Sequence, residues 1–267
     1  MSTDAGLMPD ERHRMILDRL AGAGRVLATD LAHELGASED TIRRDLRELA
    51  AAGLCQRVYG GALALRPTSP ASGSLKQRRG EAPERKTALA AAAAGLVGAA
   101  STVFIDAGST NEAIACAIPP SPGLTVVTNA PAIAAHLAER GGLDVILVGG
   151  RIDPRSGAAL GARALRDVER IRVDLFFLGG CAIDAELGVG AFDAEEAEFK
   201  RAVAVGAVRI VTAITSDKLG TRAPFAVMAA ADLGDVVVEH DAPEDRIAQL
   251  AAAGPRIHRA APAGRRA

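Results

Sequence analysis

From Lys86 onward, apolar runs alternate with stretches of helical character, and no other feature limits the fold as strongly. The runs are TVFID (102–106), TVVT (125–128), DVILV (144–148), DLFFLG (174–179), RIVTAI (209–214) and DVVVE (235–239). Helical stretches fall between and around them, at about 86–98, 110–118, 130–140, 160–170, 193–206 and 244–252. Strands that are apolar on both faces and separated by helices belong to a mainly parallel sheet covered on both sides. The pattern predicts an α/β domain over 85–255.

Ligands in open α/β sheets bind outside the carboxyl ends of the strands. Here those ends read DAGST (106–110), TNA (128–130), GGR (149–151), GGC (179–181) and TSDK (215–218). Small, hydroxyl-bearing turns that lead into helices offer free backbone N–H groups and a positive dipole end to an anion. Gly108, Ser109 and Thr110 form the candidate phosphate cradle, and Asp106 is placed to accept hydrogen bonds from sugar hydroxyls. Thr128 and Asn129 add neutral polar contacts, Gly149 and Gly150 another Gly-rich exit, and Lys218 a positive charge. Each turn taken singly serves geometry as readily as binding. The convergence of five exits is what favours a pocket. In FDAEEAEFKRAV, Glu195, Glu196 and Lys200 lie within two helical turns. The Glu196–Lys200 spacing of i, i+4 fits a surface ion pair and equally a Lys200 aimed into the pocket.

The first sixty-five residues follow a different pattern. Helices are expected at about 11–21, with Ile16, Leu17 and Leu20 inward, and at about 30–35, capped by Thr29. A third follows Gly36-Ala37, starts at Ser38 and ends near Gly53, with Ile42, Leu46 and Leu49 on one face. Two short helices joined by a Gly-containing turn make a helix-turn-helix, whose second helix enters the major groove of DNA. LCQRVYGGALAL (54–65) alternates and turns at Gly60-Gly61, so it reads as a two-stranded wing. Ser38, Thr41, Arg43 and Arg44 lie on the early turns of the third helix, where base edges and phosphates would be met. Arg47 and, on the wing, Arg57 are placed for the backbone.

Between these parts, RPTSPASGSLKQRRGEAPE (66–84) has hardly any bulky apolar residue and reads as an exposed linker. The end, RIHRAAPAGRRA (256–267), reads as a loose basic tail. The net charge is −2, so DNA binding has to come from a local patch. Cys55, Cys116 and Cys181 are far apart and carry no metal-ligand spacing, which points to a reducing compartment with no zinc site and no disulfide framework. No signal-like start and no uninterrupted spanning run is present. A cytoplasmic protein with no membrane partner, no metal and no cofactor is expected.

RHRMILDRL, ATDLAHELGASEDTIRRDLRELAAAGL and QRVYGGAL closely resemble the N-terminal domain of DeoR-type bacterial transcriptional regulators. The TIRRDL run followed by a Gly-Gly wing is specific. FIDAGST, VVTNA, VILVGGRID, ALGA, AEEAEFKRAV and SDKLG occur in the order of the DeoR-type effector domain, which is similar to the sugar-phosphate isomerase superfamily. The resemblance implies a winged helix-turn-helix on operator DNA and a sensor that binds a phosphorylated sugar without turning it over. It also implies effector-pocket roles for Asp106, Gly108, Ser109, Thr110, Thr128, Asn129, Gly149, Gly150, Lys200 and Lys218. Two departures stand out: Cys181-Ala182, where an acidic or hydroxyl residue and Gly are common, and Asn111, where a hydroxyl is common.

The expected protein is a metabolite-responsive regulator, a repressor of a carbohydrate-metabolism operon, acting as a homodimer or homotetramer because one short helix reads too few base pairs. The competing reading is a sugar-phosphate isomerase carrying a DNA-binding domain, with Glu195 or Glu196 as base and Lys200 or Lys218 as charge stabiliser. A dinucleotide-binding domain fits less well, because no G-x-G-x-x-G follows the first strand.

Overall fold

Ser38 starts the helix expected to contact DNA: its side chain accepts a hydrogen bond from the backbone N–H of Thr41 at 3.1 Å, a cap worth about 1 kcal/mol. The computed structural model describes residues 8–23, 25–64 and 74–262, and the chain divides into two units, Met1–Arg66 and Pro67–Ala267.

The first unit runs α1 (Pro9–Ala23), β1 (Arg25–Leu27), α2 (Ala28–Leu35), α3 (Glu39–Ala51), β2 (Cys55–Val58) and β3 (Gly61–Ala64). Ile16, Leu20, Leu31, Leu35, Ile42, Leu46 and Leu49 form its core, drawn from the stripes that helical periodicity marks. The wing carries a third strand not expected from sequence, since β1 pairs antiparallel with β3 in the order β1-β3-β2. A three-residue strand has no period of its own, and only this non-local pairing reveals it. A Cβ on Gly61 would meet the Val26 carbonyl oxygen at 2.0 Å, so glycine is required where β3 closes on β1. Thr29 is not the cap of α2. That helix starts after Leu27, without a side-chain cap, and the N–H of Ala28 donates to the Gly60 carbonyl at 2.8 Å. The turn of the wing thus satisfies one of the donors left free at the helix start.

The second unit begins with α4 (Leu75–Gly80) and α5 (Pro83–Ala94). It continues through β4 (Thr102–Ile105), α6 (Ser109–Ala117), β5 (Thr125–Thr128), α7 (Pro131–Arg140), β6 (Asp144–Leu147), β7 (Arg151–Ile152), β8 (Ala159–Leu160), α8 (Ala162–Val168) and β9 (Val173–Phe177). After it come β10 (Ala182–Asp184), β11 (Gly188–Ala191), α9 (Ala194–Val205), β12 (Ala207–Ile214), β13 (Phe225–Met228), β14 (Asp235–Val238), α10 (Glu244–Ala252) and β15 (Arg256–Arg259). Seven strands form the main sheet in the order β15-β14-β12-β9-β4-β5-β6, and each neighbouring pair is parallel. The fold class is the mainly parallel α/β arrangement expected. β10, β11 and β13 add a small antiparallel sheet, and β7 pairs with β8. The core centres on Phe104, Phe176 and Phe177, with the first two rings edge to face at 5.5 Å.

The chain builds outward from β4 through β5 to β6, then returns and builds the other way from β9. The β4–β9 boundary is therefore the topological switch point, where a crevice opens beyond the strand ends.

Two stretches differ from expectation. The span 66–84 contains α4, capped by a reciprocal Ser74–Gln77 box, with Leu75 buried. The remainder of that span, up to residue 73, lies outside the described residues. The basic tail also begins as structure, because Arg256–Arg259 pairs with β14 as an edge strand. Its side chains reach Asp235, which is fully buried at the start of β14. Residues 263–267 lie outside the described residues.

Candidate DNA-binding face and effector pocket

On α3 the buried side is Ile42, Asp45, Leu46 and Leu49, and Ser38, Arg43, Arg44 and Arg47 are exposed on the other. Thr41 is half-buried and shares a 2.8 Å hydroxyl contact with Ser38. Arg43 pairs with Glu39 at 2.5 Å and Asp40 at 3.4 Å, and Arg44 pairs with Glu48 at 3.1 Å. Such exposed pairs contribute little, so a phosphate can displace them. Arg47 donates to the Arg43 carbonyl at 3.3 Å. Arg57 is exposed on β2, and Tyr59 at the turn of the wing is fully exposed.

Asp45, on the inner side of this helix, was not singled out from sequence. Its carboxylate takes a bidentate contact from Arg12 of α1 and lies 3.2 Å from His13 Nε2. His13, Asp45 and Glu48 could offer ligand atoms to one cation. The Arg12 guanidinium already occupies Asp45, and a second positive charge there would be repelled.

In the second unit the switch point holds a buried charge cluster. Lys200 of α9 is 1% exposed; its Nζ donates to the Gly179 carbonyl at 2.5 Å and lies 3.2 Å from Asp106 and 2.7 Å from Glu196. Burial works against the ammonium, but the carboxylates of Asp106 and Glu196 outweigh it and hold Lys200 above its ordinary value. The Glu196–Lys200 pair exists, and it is buried beneath the strand ends rather than lying on the surface. Gly179 makes the cluster possible, since a Cβ there would lie 2.8 Å from the Asp106 carboxylate. Asn111 bridges the two central strands, donating to the carbonyls of Asp106 at 2.9 Å and Phe177 at 3.1 Å. The departure at Asn111 therefore supplies a staple across the switch point.

Thr128 and Asn129 are fully buried supports. Thr128 donates to the Ile105 carbonyl at 2.6 Å, and the Asn129 side chain accepts from the N–H of Ala107 at 3.1 Å. Gly149 and Gly150 line none of the cavities around Lys200 and Lys218. Gly150 instead packs on Leu160, where a Cβ would meet the carbonyl oxygen at 2.6 Å. Glu195, the alternative isomerase base, pairs with Arg151 at 2.6 Å on an exposed surface.

Gly108, Thr110, Asn111, Gly179, Lys200 and Lys218 border a small space of about 20 Å³. The volume able to take a ligand lies beside it, about 410 Å³, bordered by Ser109, Lys218, Lys86, Arg78, Arg85, Thr215 and Glu239 among others. Helix α6 starts at Ser109 without a side-chain cap, so its N-terminal donors and dipole face this region. Burial pushes Lys86 and Lys218 down from their ordinary values. Neighbouring positive charges push the same way, Lys218 on Lys86, and Arg78 and Lys200 on Lys218. An anion in the cavity relieves that repulsion.

A winged helix-turn-helix followed by a parallel α/β unit with this site matches known families along most of the chain. Residues 12–68 match the DeoR-like helix-turn-helix domain, and residues 81–240 match the DeoR C terminal sensor domain. The chain belongs to the DeoR family. It is a DNA-binding transcriptional regulator rather than an enzyme. It is 34% identical to the HTH-type transcriptional regulator GlpR of Haloferax volcanii, over 81% of this chain and 84% of the relative. It is 32% identical to the glycerol-3-phosphate regulon repressor of Escherichia coli K12, over 80% and 84%. With the putative aga operon transcriptional repressor of Escherichia coli O157:H7 the identity is 29%, over 92% of each. Among the described residues, no helix of this DeoR-family chain is long and apolar enough to cross a membrane.

Arg78, Lys86, Arg85 and Glu239 were missed as pocket residues in this DeoR-family sequence. Arg78 was assigned to the linker, although Ser74 and Gln77 spell the capping-box spacing S-x-x-Q that announces a helix. Glu239 follows directly after β14 and carried no motif.

Proposed function

We propose that this DeoR-family chain represses an operon of carbohydrate or polyol-phosphate metabolism and releases its operator when a small phosphorylated metabolite fills the second unit's cavity. The observation that carries the effector assignment is the cavity itself. It is about 410 Å³, of a size for a small ligand. It lies off the strand ends and gathers Lys86, Lys218, Arg78 and the uncapped start of α6. The relatives named as repressors of a glycerol-3-phosphate regulon and of the aga operon support the same chemistry.

On the DNA, Ser38, Thr41, Arg43 and Arg44 approach base edges and near phosphates from α3, and Arg47 and Arg57 hold the flanking backbone. Two copies on a two-fold site supply the specificity that one short helix lacks. In the sensor, Ser109 and Lys218, with Gly108 and Thr110 shaping the loop, face the phosphoryl group. Asp106, Lys200, Thr128 and Asn129 keep that loop in place. Occupancy of the cavity favours the arrangement in which the paired DNA-binding units no longer match the operator. The protein acts in the cytoplasm, where its DNA and its effector meet.

The experiment is binding of the purified protein to DNA from upstream of its own and neighbouring genes, at fixed salt, with a panel of triose, pentose and hexose phosphates and glycerol 3-phosphate. Sequence-selective binding released by one ester, and not by its dephosphorylated form, is the expected result. A fragment bound no better than bulk DNA, or release by the unphosphorylated compound, overturns the reading.

A further inference from the structure

Among the described residues, Arg78 alone borders all three spaces at the strand ends, of about 410, 30 and 20 Å³. It sits on α4, the first described element to follow the DNA-binding unit in the chain. Three anchors besides Arg78 hold α4 down. The N–H of Leu75 donates to the Arg155 carbonyl at 2.8 Å. The Leu75 side chain packs over Gly157, where a Cβ would come within 2.5 Å of it. Arg79 makes a bidentate pair with Glu112 of α6, at 2.7 and 2.6 Å.

Arg78 itself is incompletely satisfied. Its Nη2 donates weakly to the Arg155 carbonyl at 3.4 Å, and its Nε is buried with no hydrogen-bond partner among the described residues. One more atom by the same cavity is buried and unpartnered: Glu239 Oε1. The other Glu239 oxygen accepts from Arg85 at 2.9 Å and from the N–H of Ser216 at 2.9 Å. Native proteins rarely leave buried donors and acceptors unpaired. An unpaired guanidinium N–H, the buried ammonium of Lys86, the half-buried one of Lys218 and an unpaired carboxylate oxygen around one space define a complementary ligand. It carries a phosphoryl group to accept from Arg78 and the lysines, and a hydroxyl to donate to Glu239. The planar fork of arginine suits phosphate oxygens better than a lone ammonium does.

We propose that Arg78, with Lys86 and Lys218, grips the phosphoryl group of the effector while Glu239 accepts one of its hydroxyls, so that α4 is the element by which occupancy is felt at the start of the sensor unit. This rests on the effector reading above and deepens it. Arg78 is thereby a ligand-binding residue in a segment whose composition reads as linker.

The test is calorimetric titration of the full chain with inorganic phosphate and with the same ester panel, paired with operator binding. Wild type, Arg78→Ala, Arg78→Lys and Glu239→Gln are compared, with Lys76→Ala on the exposed side of α4 as control. Arg78→Ala is expected to weaken the ester at least ten-fold and to demand correspondingly more ester for DNA release, with effector-free DNA affinity unchanged. Arg78→Lys falls between, because charge is kept and the fork is lost. Glu239→Gln weakens the ester and leaves inorganic phosphate unaffected. Unchanged DNA affinity and thermal midpoint in Arg78→Ala verify that the variant is folded. If the wild type binds an ester and Arg78→Ala binds it equally well, this assignment is overturned and the effector class stands. If the wild type binds no ester and no phosphate, the effector class falls, and this assignment with it.

Discussion

Asp45 and Lys200 are buried charges whose partners come from distant parts of the chain, and each fixes a working surface. Asp45 is 3% exposed and locks α3 to α1 through Arg12 and His13. Breaking a buried pair leaves an uncompensated charge, so Asp45→Ala should cost the DNA-binding unit about 3 kcal/mol, read as a lower denaturant midpoint; a midpoint equal to wild type would show the lock to be idle. Lys200→Met should do more damage than its size implies, because it leaves Asp106 and Glu196 facing each other without a cation. A marked drop in thermal midpoint is expected, and an unchanged melt would contradict the account. Arg47 has no acidic partner among the described contacts on α3. Arg47→Ala should weaken binding to all DNA sequences alike and lower the salt slope by about one. A loss confined to one base position would instead make Arg47 a base reader. Arginines on one face of a helix were visible in the sequence, because 3.6-residue periodicity separates them from Ile42, Leu46 and Leu49. The Lys200–Asp106 contact was not, because only the sheet order brings the end of β4 beside β9 and α9.

At the scale of elements, the stretches misread from sequence are short and held by non-local contacts. β15 has a single apolar residue, Ile257, between basic ones, so composition alone suggests a loose tail. What seats it is Asp235, which accepts from Arg209 of β12 at 2.6 Å and from His258 at 2.6 Å and pairs with Arg256 at 3.1 Å. Burial opposes the Asp235 carboxylate, but hydrogen bonds from Arg209, His258 and Arg256 win and pull its pKa down from 3.8 to about 2. A carboxylate whose folded value lies below its unfolded one stabilises the fold above the unfolded value. That stabilisation is lost as pH falls through the folded value. Asp235 should therefore contribute about 2 kcal/mol at neutral pH, complete above about pH 4 and fading toward pH 2. Denaturation of wild type and Asp235→Asn from pH 6 downward checks this: the two curves should converge as pH approaches 2, and a constant gap would rule it out. β1 and α4 belong to the same class of misreading. β1 exists because β3 closes on it at Gly61, and α4 because a capping box starts it and Leu75 anchors it. The inner strands β4, β5, β9 and β14, by contrast, were legible, since each buries most of an apolar run, whereas Ile146 and Leu147 of the edge strand β6 are exposed.

At the scale of the whole molecule, the sequence marked the DNA-binding unit through the TIRRDL helix with its wing, and the proposed effector site through the converging strand exits. The cavity was less legible than the exits. Its cations come from α4, α5 and the turn after β12, which meet only once the doubly wound sheet has formed. Reversing operator occupancy from nearly full to nearly empty requires the effector to favour one state by about 5.5 kcal/mol. Such coupling is reciprocal: whatever factor the effector takes from DNA affinity, DNA takes from effector affinity. The central claim, that one ligand in this cavity governs operator binding, is therefore tested most directly by titrating the releasing phosphate ester into the protein alone and into the protein saturated with operator. The account predicts weaker binding to the DNA-bound protein, by the same factor that saturating ester imposes on DNA affinity. Equal ester affinity with and without operator would contradict it.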